Sequence, residues 1–280
     1  MTLLVSILIL SVICGVVIIY FSGLAALSPW YWTLLFPIGI FASGILVSIV
    51  WGGLLLFTMK YHKVECAGKG NKFYQTVAHL LAELMLVSSW APVKKKGFGQ
   101  ITSDTPCLYL FNHTSFLDGW MLLSSIRQRF SIVSTKEMKN VPLVGNLSTA
   151  LGNIYVDRQD PKSTKRMIEI ASDYLNNQNT SVAIAPEGAI NRSGEIKPFK
   201  NGCFHIAINT HCPIVLLGFN GIGEIDHRKN IFHRVKLSIE VITVIYPEQY
   251  KTMNASELSK YCESIYRDFE TRKKEKHALN

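Results

Sequence analysis

The sequence predicts an α/β domain with a mostly parallel central sheet flanked by helices, preceded by an N-terminal two-helix membrane hairpin. Three observations lead to this prediction. Short apolar runs alternate with amphipathic helical patterns, polar loops follow several of those runs, and no charged side chain precedes Lys60 in the 280 residues. We therefore divide the chain into a hairpin over residues 1–59 and a second domain over residues 60–280.

The hairpin is predicted from two apolar stretches, residues 3–21 and 32–59, each long enough to cross a bilayer or to lie within one leaflet. A cleaved signal peptide is the alternative, but no basic residue precedes the first stretch and a second stretch follows at once. Lysines 60 and 63 come directly after the hairpin, so the positive-inside rule places the second domain on the cytoplasmic face of the membrane. A re-entrant hairpin that never crosses the bilayer would leave that domain on the same side.

All 29 basic and 20 acidic side chains lie in residues 60–280, which therefore carry the whole net charge of +9. This excess suits an anionic membrane surface or an anionic substrate. The sequence contains no recognisable nucleic-acid-binding module, so nucleic acid is not an expected partner. The six cysteines form no Cys-x-x-Cys pair and one lies within the first apolar stretch, which predicts small core residues in a reducing compartment.

The second domain alternates predicted strands with predicted helices. A first helix over 73–90 is followed by the basic run Lys94 to Lys96, which we read as a loop that contacts lipid headgroups or is simply solvated. The predicted strands are 107–111, 130–134, 153–156, 181–185, 213–219 and 235–245. The later helices are predicted at 115–127, 141–151, from 160, 202–209 and 256–274.

A histidine and an aspartate, His113 and Asp118, directly follow the predicted strand 107–111. In an ideal helix, residues five apart point about 140° away from each other, so the pair must straddle a turn, with Ser115 as the predicted N-cap of the next helix. A carboxylate that accepts one ring N–H fixes the imidazole tautomer and leaves the other nitrogen as a general base. The spacing thus indicates a catalytic pair, with a polar turn and an acidic helix start as the alternative.

Two further loops follow predicted strands. Arg158, after the strand 153–156, could bind an anionic group or pair with a neighbouring aspartate. In the long loop 186–202, Glu187 could hydrogen-bond a substrate hydroxyl or be a buried ion-pair partner, and Gly188 allows close approach of the backbone. The positive charges of this loop are Arg192, Lys197 and Lys200.

Four motifs in this order resemble the glycerolipid acyltransferases, the group that includes 1-acyl-glycerol-3-phosphate acyltransferase. The motifs are Asn112-His113 through Asp118, the block 152–158, Pro186-Glu187-Gly188, and Cys212-Pro213-Ile214-Val215. The resemblance extends over about residues 94–246 and implies a glycerol-3-phosphate acyltransferase-like fold.

The resemblance further implies transfer of a fatty acyl group from coenzyme A or acyl carrier protein to the free hydroxyl of a lysophospholipid. His113 would be the general base and Asp118 would orient it. Arg158 would bind the acceptor's phosphate, and Glu187 and Gly188 would shape the glycerol site. Pro213 would support the acyl-donor side of the site. Arg192 or Lys197 would bind the phosphate in place of an arginine that family members commonly carry after the third motif. No metal and no cofactor is expected, and the expected partners are membrane lipids, the lysophospholipid acceptor and the acyl donor.

One departure from the family pattern bears on the acceptor. The third motif commonly continues Glu-Gly-Thr-Arg, and here Ala189 and Ile190 replace the threonine and the arginine. The acceptor is therefore either 1-acyl-glycerol-3-phosphate (lysophosphatidic acid) or another lysophospholipid, such as lysophosphatidylcholine or lysophosphatidylethanolamine. A membrane-bound acyl thioester hydrolase is a third hypothesis, which the missing Gly-x-Ser-x-Gly motif disfavours. A non-enzymatic lipid-binding protein is the fourth.

Overall fold

The computed structural model describes residues 72–88, 91–101, 105–141, 144–191, 196–222 and 235–278, together with Ile13 and Ile45. The chain divides into two compact units, residues 1–64 and 65–280. The predicted hairpin over 1–59 lies outside the described residues except for those two isoleucines, so it stays a prediction. Among the residues that the structure describes, no helix combines the length and the apolar character needed to cross a membrane.

The second unit is built on a seven-stranded sheet. Its strands are β1 (Val93–Lys96), β2 (Leu108–Phe111), β3 (Phe130–Thr135), β4 (Ile154–Val156), β5 (Ser181–Ile184), β6 (Ile214–Asn220) and β7 (Leu237–Ile245). The strand order is β1-β7-β6-β2-β5-β3-β4, with β2 in the centre. Every neighbouring pair is parallel except β6 and β7. The predicted mostly parallel α/β sheet is confirmed.

Helices connect the strands and cover the sheet. They are α1 (Lys72–Ser88), α2 (Asp118–Ser125), α3 (Val144–Ala150), α4 (Pro161–Asn177), α5 (Phe204–Thr210), α6 (Pro247–Tyr250) and α7 (Ala255–Ala278). The start of α4 follows the sequence prediction: Pro161 occupies its first turn, and the Asp160 side chain accepts a hydrogen bond from the Lys162 backbone N–H at 2.9 Å.

Side chains of the sheet alternate between two covered faces. One face of the central strands presents Leu108 and Leu110 to a core that contains buried residues of α4, α5 and α7. Tyr109 points the other way, because successive side chains of a strand alternate, and its hydroxyl donates to Gln128 at 2.7 Å. Gln75 of α1 donates to the Gln128 backbone oxygen, so α1 and the segment after α2 cover this second face. The near-continuous burial of β2, β5 and β6 follows from this double cover.

The topology puts five strand ends on one edge of the sheet. Strands β6, β2, β5, β3 and β4 run in the same direction and lie side by side in that order. The loops that leave their carboxyl ends therefore meet at this edge, which we call the active edge. The loop with His113 leaves β2, and the loop with Glu187 leaves β5, its direct neighbour.

Two local predictions are wrong. The basic run Lys94 to Lys96 forms most of the edge strand β1, which pairs with β7, and is not a loop. Lysines have low strand propensity but are common on exposed edges, where they discourage pairing with other chains. Ser115 is not an N-cap, because α2 begins at Asp118 and its cap residue Leu117 has no side-chain hydrogen bond.

Gly145 illustrates how tightly the short helix α3 packs. A Cβ atom at this position would overlap the backbone carbonyl of Lys139, and no flexible side chain could move to relieve the overlap. We expect Gly145→Ala to lower the free energy of unfolding by about 1–3 kcal/mol, as overpacking commonly does. Gly119 in α2 is the matched control, because a Cβ there meets nothing within 4 Å. Gly119→Ala should raise stability by up to about 1 kcal/mol through higher helix propensity. Chemical denaturation of both variants measures the difference, and equal effects would contradict the packing described here.

Candidate active site

His113 and Asp118 form a hydrogen-bonded pair at the end of β2. The His113 Nδ1 atom lies 2.8 Å from Asp118 Oδ2. The side chain of Asp118 is completely buried, whereas a quarter of the His113 side chain is accessible. With Nδ1–H directed at the carboxylate, Nε2 is the nitrogen left to accept a proton from a substrate. The structure thus brings together the two residues that the spacing paired.

The Asp118 carboxylate is held by the turn that it closes. Its Oδ2 atom accepts backbone hydrogen bonds from Thr114, at 2.7 Å, and Ser115, at 3.1 Å, and Thr114 Oγ1 approaches Oδ1 at 3.3 Å. Both carboxylate oxygens are therefore occupied, and Oδ2 accepts three donors. Such a carboxylate cannot rotate without losing several charge-assisted hydrogen bonds, so it fixes both the turn and the orientation of the imidazole.

The loop after β5 lies directly against this turn. The Asn191 backbone N–H donates to the His113 carbonyl oxygen at 2.6 Å, and the Asn191 side chain donates to Glu187 Oε2 at 2.7 Å. Asn191 thus connects the two loops. The pKa of the buried Glu187 is raised above its ordinary value of 4.5, chiefly because burial disfavours the charged form. Hydrogen bonds from Asn191 and the Lys197 backbone, and the charges of Lys197 and His113, offset part of this rise.

Gly188 supplies the tight bend of the same loop. Its φ of +72° lies in the left-handed region, and a Cβ atom would come within 2.8 Å of the Lys200 ammonium. The aliphatic stem of Lys200 therefore covers Gly188, and the Lys200 N–H donates to the Pro186 carbonyl at 2.9 Å. The loop closes back on itself, which places Glu187 inside and Ile190 outside, with 39% of Ile190 exposed.

Positive charge lies farther along the active edge. Arg158 follows β4, which is three strands from β2, or roughly 14 Å at about 4.8 Å per strand. Its exposed guanidinium makes no hydrogen bond or ion pair with any other residue in the described part of the chain, so the alternative reading, a pair with a neighbouring aspartate, is absent there. Asp157 instead pairs with Lys136, at 2.6 Å, and this contact lowers the pKa of Asp157. Arg158 is thus free to bind an anion, but it does not adjoin His113.

The other predicted site residues fall in different places. Lys197 is exposed, and its backbone N–H reaches Glu187. Arg192 lies outside the described residues, so its role stays a prediction. Pro213 precedes β6 and accepts a hydrogen bond from the Leu108 N–H, at the sheet edge opposite the active edge. Pro213 is therefore roughly 15–20 Å from His113, at about 3.3 Å per strand residue, and any effect on the donor side would act through the strand.

Two residues of this region were missed by the sequence analysis. Lys136 follows β3, which lies between β5 and β4, and so stands one strand nearer to His113 than Arg158 does. The rule used for the other loops would have found it, because Lys136 comes just after a predicted strand. Tyr266 of α7 hydrogen-bonds to Asn112, the residue before His113. No local pattern signals that contact, since 154 residues separate the partners.

The arrangement can perform general base chemistry without a nucleophilic side chain. The cysteines of the described chain, Cys107, Cys203, Cys212 and Cys262, are buried. Burial raises the pKa of each thiol, so none is a ready nucleophile. Across the described residues, no group of three or more histidine, cysteine or acidic side chains could hold a metal ion. Nε2 of the partly accessible His113 side chain is the proton acceptor that the geometry provides.

The parallel sheet and the histidine–aspartate pair at the end of its central strand agree with the resemblance found in the sequence, and comparison with known proteins supports that resemblance. Residues 92–219 match the family model described as acyltransferase. This match covers slightly less than half of the chain, which resembles the glycerolipid acyltransferases.

Its relatives are named 1-acyl-sn-glycerol-3-phosphate acyltransferases. A chloroplastic one from Brassica napus is 32% identical over 55% of this chain. One from Cocos nucifera is 27% identical over 81% of this chain and 70% of its own length. The matched part spans only 46% of the Brassica protein and 65% of a Haemophilus influenzae relative. The crystal structure of the 1-acyl-sn-glycerophosphate acyltransferase from Thermotoga maritima superposes with a TM-score of 0.61, covering 80% of this chain and 89% of that one. At 19% identity, this likeness establishes the fold.

The buried carboxylate of Asp118 gives the first prediction for this site. Asp118→Asn replaces an oxygen that accepts three donors by an amide that can satisfy fewer of them. We expect the free energy of unfolding to fall by about 1.5–3 kcal/mol, the range for a hydrogen-bonded charged group. Asp160→Asn is the matched control, because this exposed N-cap accepts one hydrogen bond and asparagine caps helices equally well. Urea denaturation of the full chain measures both, and an Asp118 variant as stable as the Asp160 variant would refute the assigned bonding.

Glu187 gives a prediction about pH. Its pKa is higher in the folded chain than in the unfolded chain, so its contribution to stability is complete below the ordinary value of 4.5 and is lost as the pH rises through the folded pKa. Glu187→Gln cannot ionise and should not show this loss. We expect the stability difference, variant minus wild type, to become more favourable to the variant from about pH 4.5 to about pH 8. Denaturation curves across this range test it, and a difference that does not change with pH would contradict the raised pKa.

Proposed function

We propose that this chain is an acyltransferase that moves a fatty acyl group from an acyl thioester to the free hydroxyl of 1-acyl-glycerol-3-phosphate in phospholipid synthesis. The observation that carries the proposal is the 2.8 Å contact between His113 Nδ1 and the fully buried Asp118 carboxylate, which leaves Nε2 as the proton-accepting nitrogen of a side chain that is a quarter accessible. The names of the relatives supply the substrate class. The match of residues 92–219 to the acyltransferase family model supports the type of reaction.

The reaction follows from the position of the base. His113 Nε2 accepts the proton of the acceptor hydroxyl while the oxygen attacks the carbonyl carbon of the thioester, and Asp118 stabilises the imidazolium that forms. The tetrahedral intermediate then collapses, the carbon–sulfur bond breaks, and the departing thiolate takes the proton from Nε2. The ester and the free thiol leave together, and the histidine returns to its neutral form. Holding both substrates at one strand end supplies most of the required orientation.

The acceptor would lie along the active edge. Glu187 and Gly188, one strand from His113, would contact the glycerol backbone, which is the role that the resemblance implies for them. Arg158, three strands from β2, extends the edge with positive charge and would attract a phosphate, whereas the charge of Lys136 is balanced by its ion pair with Asp157. Arg192 and Lys197 remain candidates on the same loop as Glu187.

The remaining parts of the proposal concern the donor and the membrane. The donor would be acyl-CoA or acyl carrier protein, used as a substrate, and the chemistry requires no metal or other cofactor. A hairpin over 1–59 would bring the domain to its lipid substrate on the cytoplasmic face of the membrane. The uncharged sequence before Lys60 is the support for this location.

Ile190 favours a second acceptor class. Family members commonly carry an arginine at this position, and here an exposed apolar side chain takes its place beside the site. Weaker binding of a phosphomonoester would suit an acceptor with a larger headgroup, such as lysophosphatidylcholine or lysophosphatidylethanolamine. The two acceptor classes share the same base and the same donor, so they differ only in the headgroup that enters the active edge.

A direct assay tests the proposed function. Purified protein in mixed micelles is given labelled acyl-CoA or acyl carrier protein with a panel of lysolipids, and the products are identified by mass spectrometry. We expect acyl transfer to lysophosphatidic acid, and a loss of at least about 10²-fold in kcat for His113→Ala, the size of effect expected for a general base. His211→Asn is the control, because this exposed histidine caps α5 in the left-handed region, which asparagine tolerates.

The outcomes separate the competing functions. Transfer to lysophosphatidylcholine or lysophosphatidylethanolamine alone would establish the second acceptor class. Thioester cleavage at an unchanged rate without any acceptor would identify a hydrolase instead. Full activity of His113→Ala would overturn the assignment of the base.

A further inference from the structure

The long helix α7 packs against the face of the sheet that presents Leu108 and Leu110, and its Tyr266 side chain reaches the active edge. It begins at Ala255, well beyond the matched acyltransferase region that ends at residue 219. Its Tyr266 side chain is completely buried and lies under the turn that carries His113. This contact involves the part of the chain that the family resemblance does not cover, so the resemblance assigns it no role.

A single hydroxyl group bonds to two polar groups of Asn112, the backbone N–H and the side-chain oxygen. The Tyr266 hydroxyl accepts a hydrogen bond from the Asn112 backbone N–H at 3.1 Å and donates one to Asn112 Oδ1 at the same distance. Burial raises the pKa of Tyr266 well above its ordinary value, so the hydroxyl keeps the proton that it donates. Asn112 is itself buried, so loss of the hydroxyl would leave two buried polar groups without this partner.

Asn112 immediately precedes His113, so the position of Asn112 constrains the His113 backbone from which the imidazole side chain extends. The His113 ring is restrained by Asp118 at Nδ1, and the His113 carbonyl is restrained by Asn191. Neither contact fixes the chain on the strand side of the histidine. Tyr266 provides that third restraint, because it holds the residue through which β2 enters the turn.

The same face of α7 also holds the loop that follows Glu187. Ser259 Oγ donates to the Phe199 carbonyl at 3.2 Å, Glu263 Oε2 accepts from the Phe199 N–H at 3.0 Å, and Arg267 donates to the Ile196 carbonyl at 3.1 Å. Residues 259, 263, 266 and 267 lie within about two turns of one helix and share a face. One rigid helix therefore fixes both loops of the active edge relative to each other.

We infer that Tyr266 is a positioning residue for His113: its hydroxyl, acting through Asn112, sets the position of the imidazole relative to the substrate hydroxyl. The inference rests on the proposed function for its kinetic consequences, but the contact itself does not depend on the substrate. Tyr266 touches no reacting atom. Its effect is expected on the rate of transfer rather than on the binding of either substrate.

Tyr266→Phe is the direct test, because it keeps the buried ring and removes only the hydroxyl. A displacement of a catalytic group by about 1 Å can cost about 10²-fold in rate, so we expect kcat to fall by roughly 10-fold to 10²-fold with both KM values within about twofold of wild type. Tyr250→Phe is the matched control. The buried Tyr250 hydroxyl donates to the Cys212 carbonyl at 2.7 Å, at the opposite sheet edge, so its loss removes a comparable hydrogen bond far from His113.

A double variant tests the route through Asn112. If Tyr266 acts through this residue, Asn112→Ala with Tyr266→Phe should be no slower than the slower single variant. Additive losses would contradict that route. A kcat for Tyr266→Phe within twofold of wild type, or an equal fall for Tyr250→Phe, would overturn the inference.

A measurement without turnover separates this inference from the proposed function. In protein labelled with nitrogen-15 at histidine, the Nδ1–H proton of His113 reports its hydrogen bond to Asp118. We expect this resonance to shift or broaden in Tyr266→Phe and to stay unchanged in Tyr250→Phe. If wild type transfers no acyl group to any lysolipid but the resonance responds, the proposed function fails and the positioning role stands. An unchanged resonance in an active Tyr266→Phe would reject the positioning role alone.

Discussion

The site depends on one buried carboxylate. Asp118 has no contact with solvent, yet it starts a helix, closes the turn after the central strand and orients His113. A charge can remain in such a position only if donors surround it, and the turn supplies them from Thr114 and Ser115. The four groups form one unit, because each donor is held in place by the acceptor it satisfies. The reactivity of the imidazole is therefore a property of the folded turn and not of the histidine alone.

The sequence predicted the sheet well because its strands are buried on both faces. Runs such as 107–111 and 213–219 are almost entirely apolar, and polar loops mark their carboxyl ends. The pairing of His113 with Asp118 was predictable for a similar reason: both partners lie within one turn, and their chemistry restricts what the spacing can mean. The edge strand β1 was missed because three of its four residues are lysines. Such a composition is typical of a loop when the partner strand is unknown.

Strand order was the information that local patterns could not supply. Glu187 and Arg158 both follow strands in the sequence, but only β5, which precedes Glu187, lies next to the strand of His113, and β4, which precedes Arg158, is three strands away. The order of parallel strands is set by how helices pack across the sheet, and no short motif records it. For the same reason, the contact between Asn112 and Tyr266 was not predicted, because 154 residues separate them in the sequence. Long-range contacts of this kind are found only when the whole fold is known.

The hydrogen bond from Asn191 to the His113 carbonyl has a consequence for how such a site can change over time. The loop that we propose to contact the acceptor headgroup is hydrogen-bonded to the backbone of the proposed base, so a substitution selected for a new headgroup would also displace the base. Selectivity and turnover would then be inherited together, and lineages could alter one only through compensating changes in the other loop. Ile190 is the neighbour of Asn191, so it is a position at which we expect such coupled substitutions.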